Sequence, residues 1–331
     1  MRLLVVGLGS MGRRRLRNLT HLGGHELAGL EVVPERREGA GVPTFATLEQ
    51  ALSWGPEALV ISTPPDQHAQ YAQAAADAGL HFFTEASVVT TGMEEVIDAA
   101  RGKAIVAAPS CTMRFHPACA TLRRLLAAGA IGRPLAFTHH VGQYLPDWHP
   151  WEDYRTFYVA RRETGAAREI VPFELNWLTG LFGPVTELNA FVAKLSALEA
   201  DIDDIYSTLL RFESGVQGSM VIEVISRPAI RLARIIGDEG TLQWDWNGRR
   251  VLQHSAGQEG WAEHPDPPPV RGPGGEWVAE NMYIEEMAAF IAAIEGREPW
   301  PLSLEDDHRL LLTLEALEAA SDEGRRPFAV G

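Results

Sequence analysis

The chain has 331 residues, 46% of them hydrophobic and 22% charged, enough for a sizeable core and two domains and too apolar for a disordered chain. Its 44 acidic and 29 basic side chains give a formal charge of −15, which argues against nucleic acid and against an anionic membrane surface as partners, because both need a basic face. Only Lys103 and Lys194 are lysines, so any chemistry that needs one has two candidates.

The opening apolar run, Leu3–Val6, is too short for a signal peptide and ends in glycines. No run approaches the ~18 apolar residues of a spanning helix. Leu3–Val6 reads as a strand, followed by a helix over about Ser10–Leu22 and a strand at Glu26–Leu30. A strand at Ala58–Ser62 ends at Pro64-Pro65, and a helix over Asp66–Ala78 is stopped by Gly79. Strands at Leu80–Thr84 and Ala104–Ala107 complete a strand–helix alternation that predicts a doubly wound parallel sheet.

Beyond Ser110 the pattern changes. After a helix at Ala118–Ala128, strands are expected near Leu135–Gln143, Val185–Ala193, Tyr206–Phe212, Gln217–Ile225, Leu232–Ile236, Thr241–Trp244 and Val251–Gln253. Turn signals such as Glu213-Ser214-Gly215 between them suggest an antiparallel meander, interrupted by one helix over Gly165–Leu181. Pro265–Gly275, rich in proline and glycine, reads as an exposed loop, and two long helices at Glu276–Glu295 and Ser303–Gly324 close the chain. The expected architecture is α/β over 1–114, binding a dinucleotide, then α+β with a large open, mostly antiparallel sheet over 115–331. Cys111 and Cys119 have neither redox-pair nor zinc-site spacing and are expected to be buried free thiols, which suggests a cytoplasmic location.

Gly7-Leu8-Gly9-Ser10-Met11-Gly12 fits G-x-G-x-x-G between the first strand and the first helix. Gly7 allows the tight turn, Gly9 lets a pyrophosphate approach, and Gly12 lets helix and strand pack closely; the helix N-terminus then offers N–H groups to the phosphates. Glu31, 19 residues after Gly12, is placed to accept from ribose hydroxyls, which favours NAD; Arg36-Arg37 would favour the 2′-phosphate of NADP. NAD is the expected cofactor. Thr63-Pro64-Pro65-Asp66-Gln67-His68 would stand in the ligand crevice at the end of its strand, although His68 alone reads as a surface histidine. Of Arg13-Arg14-Arg15, one is expected near the phosphates and the others in solvent. No set reads as a metal site: His139 and His140 point to opposite faces of a strand, and Asp201-Ile202-Asp203-Asp204 reads as a solvated turn.

Together with Glu85, Arg114-Phe115-His116-Pro117, Gly129-Ala130-Ile131-Gly132-Arg133-Pro134, Leu181-Phe182-Gly183 and Gly237-Asp238-Glu239-Gly240-Thr241, these motifs resemble the Gfo/Idh/MocA family along essentially the whole chain. The segment Gly142–Trp151 resembles a subgroup found with surface-polysaccharide and amino-sugar pathways. The resemblance implies an N-terminal Rossmann domain, a nicotinamide-dependent oxidoreductase acting on a sugar, cyclitol or related polyol, and an open sheet that packs against another subunit as a homodimer or homotetramer.

The chain departs from the family where its acid/base chemistry resides. The family's Glu-Lys-Pro reads Glu85-Ala86-Ser87, and its helix aspartate and histidine fall at Glu169 or Ile170 and at Phe173, with Asn176 at a further, usually acidic, place. Hydride transfer from an alcohol still needs an acceptor for the hydroxyl proton. Candidates for it are Glu169, His149 and Glu85, with Glu85 and Glu169 forming a carboxylate pair across the cleft as one arrangement, and Glu174, Tyr144 and His116 as others. Arg114, Tyr144, Asp147, Trp148, His149, Trp151, Tyr154 and Glu174 suit sugar binding, the aromatic faces by stacking and the carboxylates by holding hydroxyls. The alternative for the aromatic segment is a loop packed into the core. For the whole chain, the alternatives are a non-catalytic dinucleotide- and sugar-binding homologue, or NAD-assisted elimination or hydrolysis.

Overall fold

A computed structural model describes residues 1–272, 275–277 and 280–324. The elements begin with β1 (Arg2–Val6), α1 (Ser10–Leu22), β2 (Glu26–Leu30), α2 (Pro34–Arg37), β3 (Thr44–Phe45), α3 (Leu48–Ser53), β4 (Ala58–Ile61), α4 (His68–Asp77), β5 (His81–Thr84), α5 (Met93–Ala100) and β6 (Ala107–Pro109). They continue with α6 (Pro117–Ala127), β7 (Pro134–Gly142), α7 (Ala167–Phe182), β8 (Val185–Ala193), β9 (Ile205–Phe212), β10 (Gln217–Glu223), β11 (Ile230–Gly237), β12 (Gly240–Asp245), β13 (Arg250–Ser255) and β14 (Ala262–Pro265). The last are β15 (Val270–Gly272), β16 (Gly275–Trp277), α8 (Asn281–Ile294) and α9 (Leu304–Gly324).

Contacts divide the chain into one unit of Met1–Phe115 with Pro269–Arg309 and another of His116–Pro268 with Leu310–Gly331. The chain therefore returns to its first unit near the end, which a division at 114/115 does not anticipate. The reason lies in α8: Met287, Phe290 and Ile291 complete a core with Leu3, Val5, Leu16, Leu19 and Phe83.

The first unit holds a six-stranded, all-parallel sheet in the order β3-β2-β1-β4-β5-β6. Its central strands are covered on both faces, so Leu3–Val6 and Ala58–Ile61 are continuous apolar runs with at most 1% exposure. Strand order reverses between β1 and β4, which places the ligand crevice at the ends of those strands.

The second unit holds an eight-stranded sheet ordered β14-β13-β12-β11-β7-β10-β9-β8. The predicted strands are all present, but the sheet is not a simple meander. β7 is inserted between β11 and β10 and pairs parallel with β10, the other pairings being antiparallel. α7 and a long loop separate β7 from its neighbours, and local patterning carries no information on such a pairing. Alternation is clean: Tyr206, Thr208, Leu210 and Phe212 are buried on one face, whereas Phe191 and Leu209 on the other are 70% and 63% exposed.

The proline-rich stretch is not wholly loop. β14 reaches Pro265 at the sheet edge, where a missing N–H is tolerated, and β15 pairs antiparallel with β16. Pro273 and Gly274 lie outside the described residues. The helix expected from Glu276 begins at Asn281 because Gly275–Trp277 is extended; Val278 and Ala279 also lie outside the described residues. Cys111 and Cys119 are buried and are not joined in a disulfide. No helix among the described residues is long and apolar enough to cross a membrane.

Candidate functional site

The glycine loop has the geometry that its motif requires. Gly7 lies at φ +85°, donates its N–H to Leu30 O at 2.8 Å, and a Cβ there would meet Ser62 O at 2.8 Å. A Cβ on Gly12 would stand 1.8 Å from Gly7 O. At Gly9 a Cβ would meet nothing within 4 Å, so the backbone there faces open space. α1 starts at Ser10 and Met11 without a side-chain cap or an acidic residue in its first turn, leaving N–H groups for an anion.

Around the loop stand the other expected cofactor residues of this unit. Glu31 is 5% exposed; Oε2 accepts from Leu8 N at 2.8 Å and Oε1 from Val33 N at 2.9 Å, so the carboxylate ties the loop to the end of β2 and keeps lone pairs to spare. Arg36 is exposed on α2, and its carbonyl accepts from Arg13 at 2.8 Å. After β4, Pro64 is exposed and Pro65 buried, and Thr63 Oγ1 is buried without a partner. His68 is not a surface residue: it is 2% exposed, contacts Thr63 O at 2.9 Å, and burial lowers its pKa. The open backbone at Gly9, the uncapped helix start and the orphaned Thr63 hydroxyl fit a dinucleotide.

Arg15, expected near phosphate or solvent, is instead fully buried. Its Nε and Nη2 donate to Glu85 Oε1 and Oε2 at 2.6 and 2.8 Å, and Nη2 also reaches Glu286 Oε2 at 2.8 Å. Ser62 Oγ donates to Glu85 at 3.2 Å; Ser110 Oγ, Cys111 N and Thr112 Oγ1 donate to Glu286 at 3.0, 2.7 and 2.7 Å. Burial works against the guanidinium charge, but the two carboxylates outweigh it and push the pKa up. Both Glu85 oxygens are thus engaged by a buried cation. Arg114 Nη1 donates to Pro301 O at 2.8 Å.

In the second unit Glu169 lies in the first turn of α7 and accepts from Tyr158 Oη at 3.0 Å. Glu85 and Glu169 belong to different units, and each has a partner inside its own. Glu174 is fully buried and does not offer itself to a substrate: His139 Nε2, Trp177 Nε1 and Arg231 Nη2 surround it at 2.8, 2.8 and 2.6 Å. Burial would raise its pKa, but Arg231 and His139 hold it down at about 2. His116 caps α6, its Nδ1 accepting from Ala118 N at 3.1 Å, and its ring stacks on Trp246 at 4.8 Å. Burial, then the Arg231 charge, lowers its pKa to about 3, so it is neutral.

The aromatic segment is not packed into the core. His149 stacks between Trp151 and Phe157 at centroid distances of 5.3 and 5.5 Å, and Trp151 is 80% exposed. His149 Nδ1 stands 3.5 Å from Glu152. Arg227 lies 3.8 Å from the Tyr144 ring centroid and donates to both Asp147 oxygens at 2.8 and 2.9 Å, which lowers the Asp147 pKa. Trp148 Nε1 donates to Gln143 O at 3.1 Å, and Tyr154 Oη accepts from Glu199 N at 3.1 Å. The acidic turn is partly buried: Asp201 and Asp203 pair with Arg162, whereas Asp204 is buried and accepts from Leu195 N and Ser196 N at 2.8 Å.

Sequence reasoning did not single out Glu286, Arg231 or Tyr158, and it named Arg15 and His139 without their buried carboxylate partners. Each acts through a neighbour distant in the chain or through a side chain whose partner no motif names.

Residues 1–109 match the model of the oxidoreductase family with an NAD-binding Rossmann fold, and residues 119–243 match the GFO/IDH/MocA C-terminal domain. Levoglucosan dehydrogenase of Pseudarthrobacter phenanthrenivorans is 29% identical over 226 residues, which is 58% of this chain and 56% of that protein. Little more than half of that relative's length is therefore matched. Among solved structures, an oxidoreductase from Agrobacterium radiobacter in complex with NAD+, L-tartaric acid and magnesium superposes with a TM-score of 0.84 at 16% identity, covering 98% of this chain and 97% of that one. Levoglucosan dehydrogenase in complex with NADH and levoglucosan gives 0.83 at 21% identity with the same coverage. At these identities the likeness is one of fold. The two family models, adjoining in one chain and each lying over its own sheet, show that the protein belongs to the GFO/IDH/MocA family of oxidoreductases with an NAD-binding Rossmann domain.

Proposed function

We propose that the protein is an NAD-dependent dehydrogenase or reductase of a sugar, cyclitol or sugar derivative, working with an acid/base group other than the family's lysine and histidine. The single observation that carries this reading is the loop at Gly7, Gly9 and Gly12, closed where helix and strand must touch and open where a phosphate must approach. Ser10 and Met11 offer backbone N–H groups to the pyrophosphate, Glu31 accepts from the adenosine ribose and disfavours a 2′-phosphate, and Thr63, Pro64, Pro65 and His68 border the crevice. Arg36 is the residue that would favour NADP, but it stands free of the Glu31 carboxylate's immediate contacts. When bound, the nicotinamide supplies the hydride acceptor.

The chain must supply the proton acceptor and the sugar contacts. Glu85 is assigned to holding α1 through Arg15, because both its oxygens already accept from that buried guanidinium. Glu169 is preferred as the carboxylate that receives the proton, with His149 as the second candidate. Trp151, His149 and Trp148 form an exposed aromatic surface for the apolar face of a pyranose, and Tyr144 with Asp147 and Arg227 borders it. Arg114 is the substrate-contacting candidate of the first unit. Dinucleotide binding is assigned to residues 1–114 of the first unit and substrate binding to the second unit, the return of the chain at Pro269–Arg309 counting with the first. The exposed sheet face with Phe191 and Leu209 supports a homodimer or homotetramer, and two buried cysteines outside any disulfide support a cytoplasmic location.

The test is absorbance of NADH with NAD+ and a panel of sugars, anhydrosugars, uronic acids and inositols, run alongside a cofactor-binding titration. Turnover on any panel member with NAD+ is expected. Tight cofactor binding without turnover across the panel would point to a binding homologue instead.

A further inference from the structure

We propose that Glu85 selects the oxidation state of the cofactor: its carboxylate favours the positively charged nicotinamide of NAD+ over the neutral ring of NADH, so the resting protein holds oxidised cofactor. The inference rests on the NAD reading above and concerns the first unit alone. It goes beyond that reading by naming the form of the cofactor that is retained.

Position comes first. Strand order reverses between β1 and β4, and a dinucleotide lies across such a reversal with one mononucleotide half on each side. With the adenosine ribose at Glu31 after β2, the nicotinamide half falls on the side of β4 and β5. Glu85 directly follows β5, and its N–H donates to Ile61 O at 3.0 Å, which seats it beside the end of β4. Glu85 Oε1 accepts from Ser62 Oγ at 3.2 Å, and Ser62 O lies 2.8 Å from where a Cβ on Gly7 would stand. Ser62 thus links the carboxylate to the glycine loop.

Charge comes second. Arg15, the partner of Glu85, has a side chain with no exposure, whereas 13% of the Glu85 side chain is exposed. The cation is therefore sealed behind the carboxylate, and the negative end of the pair faces out of the core. Arg15 is also shared. Its Nη2 reaches Glu286 Oε2, and Glu286 is itself sealed and accepts from Ser110, Cys111 and Thr112. One guanidinium thus serves two carboxylates, which leaves Glu85 incompletely balanced. Arg13, Arg14 and Arg17, also on α1, are engaged elsewhere: Arg13 with Arg36 O and Glu38 O at 2.8 and 3.1 Å, Arg14 and Arg17 with Glu280 at 3.3 and 3.8 Å. His68, on which Glu85 acts through space, is buried, and the lowered pKa that burial gives it keeps it neutral.

NAD+ and NADH differ at the ring by one positive charge and are alike in phosphates, riboses and adenine. A fixed carboxylate on the nicotinamide side therefore acts on that difference and on little else. Both Glu85 oxygens accept from Arg15, at 2.6 and 2.8 Å, so the charge is held in one place and needs no reordering when the cofactor enters. In this role Glu85 is a fixed charge, and no bond is made or broken.

The experiment titrates NAD+, NADH and ADP-ribose, which has no nicotinamide, into wild type, Glu85→Gln and Glu85→Asp by calorimetry, with thermal melting of each cofactor-free protein. Wild type is expected to bind NAD+ at least as tightly as NADH, and to gain more over ADP-ribose from the oxidised ring than from the reduced one. Glu85→Gln is expected to lower the ratio of NAD+ to NADH affinity ~3–30-fold by weakening NAD+, with NADH and ADP-ribose kept within about threefold. Arg15 keeps Glu286 as its partner in that variant. Glu85→Asp, which retains the charge, is expected to retain most of the ratio, whereas a merely structural role would weaken all three ligands together. A ratio within about twofold of wild type in folded Glu85→Gln, or an equal loss for all three ligands, overturns the selection by Glu85 and leaves the NAD reading standing. If Glu85→Gln does not fold, the wild type decides: NAD+ at least as tight as NADH supports the inference, and NADH tighter than NAD+ overturns it. A wild type that binds none of the three ligands overturns both.

Discussion

At the scale of single residues, charge placement decides more than charge count. Glu31 supports two backbone N–H groups, and the proposed ribose contacts add to that load. Glu31→Gln is expected to weaken NAD binding roughly tenfold or more, the size of a charge-assisted hydrogen bond, while weakening NADP less. Parallel fluorescence titrations with both cofactors check this, and equal losses would contradict the preference for NAD. Arg15 makes the opposite kind of case, because it has no role at the surface and lies between two carboxylates. Arg15→Met is expected to cost about 3–5 kcal/mol, because Glu85 and Glu286 would be left buried without their cation. Urea unfolding measures that loss, and Glu286→Gln in the same background should recover part of it by removing one of the stranded charges. The two lysines each meet a backbone carbonyl of their own unit: Lys103 donates to Ala76 O at 2.7 Å and Lys194 to Ala200 O.

At the scale of elements, the helices carry the unusual electrostatics. α9 begins at Leu304 and buries Asp307 in its first turn, where desolvation, only partly offset by Arg114, raises the carboxyl pKa to about 7. The folded state therefore keeps this proton up to about pH 7, whereas the unfolded chain releases it near the ordinary aspartate value. Between those limits the folded state binds more protons, so stability falls as pH rises and levels off above about pH 7. Asp307→Asn is expected to match wild type only below about pH 4 and to exceed it by a margin that grows with pH up to about pH 7 and is constant above it, at about 1.4 kcal/mol per pKa unit removed. Chemical denaturation across that range tests the sign. α1 and α4 were legible from periodicity and from their flanking glycines. α2, α3 and α5 were not, since helices of 4, 6 and 8 residues leave too short a stripe to register.

At the scale of the whole molecule, the second unit's sheet exposes apolar side chains on one face among the described residues, with Phe191 and Leu209 on neighbouring strands and Ile236 on the same face farther along. If this face joins two copies, Leu209→Asp should dissociate the oligomer in light scattering while leaving the fold intact by circular dichroism; an unchanged mass would remove this face from the interface. The strand–helix alternation, the glycine loop, the position of Glu31 and nearly every strand of the large sheet were determined by the amino-acid sequence alone. These features are local: a 2- or 3.6-residue period and a glycine at a forced turn are visible within a few positions. Tertiary structure alone decided the rest. It brought Glu286 to Arg15 across 271 positions and inserted β7 between β10 and β11. It also sealed Glu174 among His139, Trp177 and Arg231, and joined Tyr158 to Glu169. Each of these depends on which distant side chain shares a buried space, and burial is what converts such a neighbour into a strong electrostatic partner.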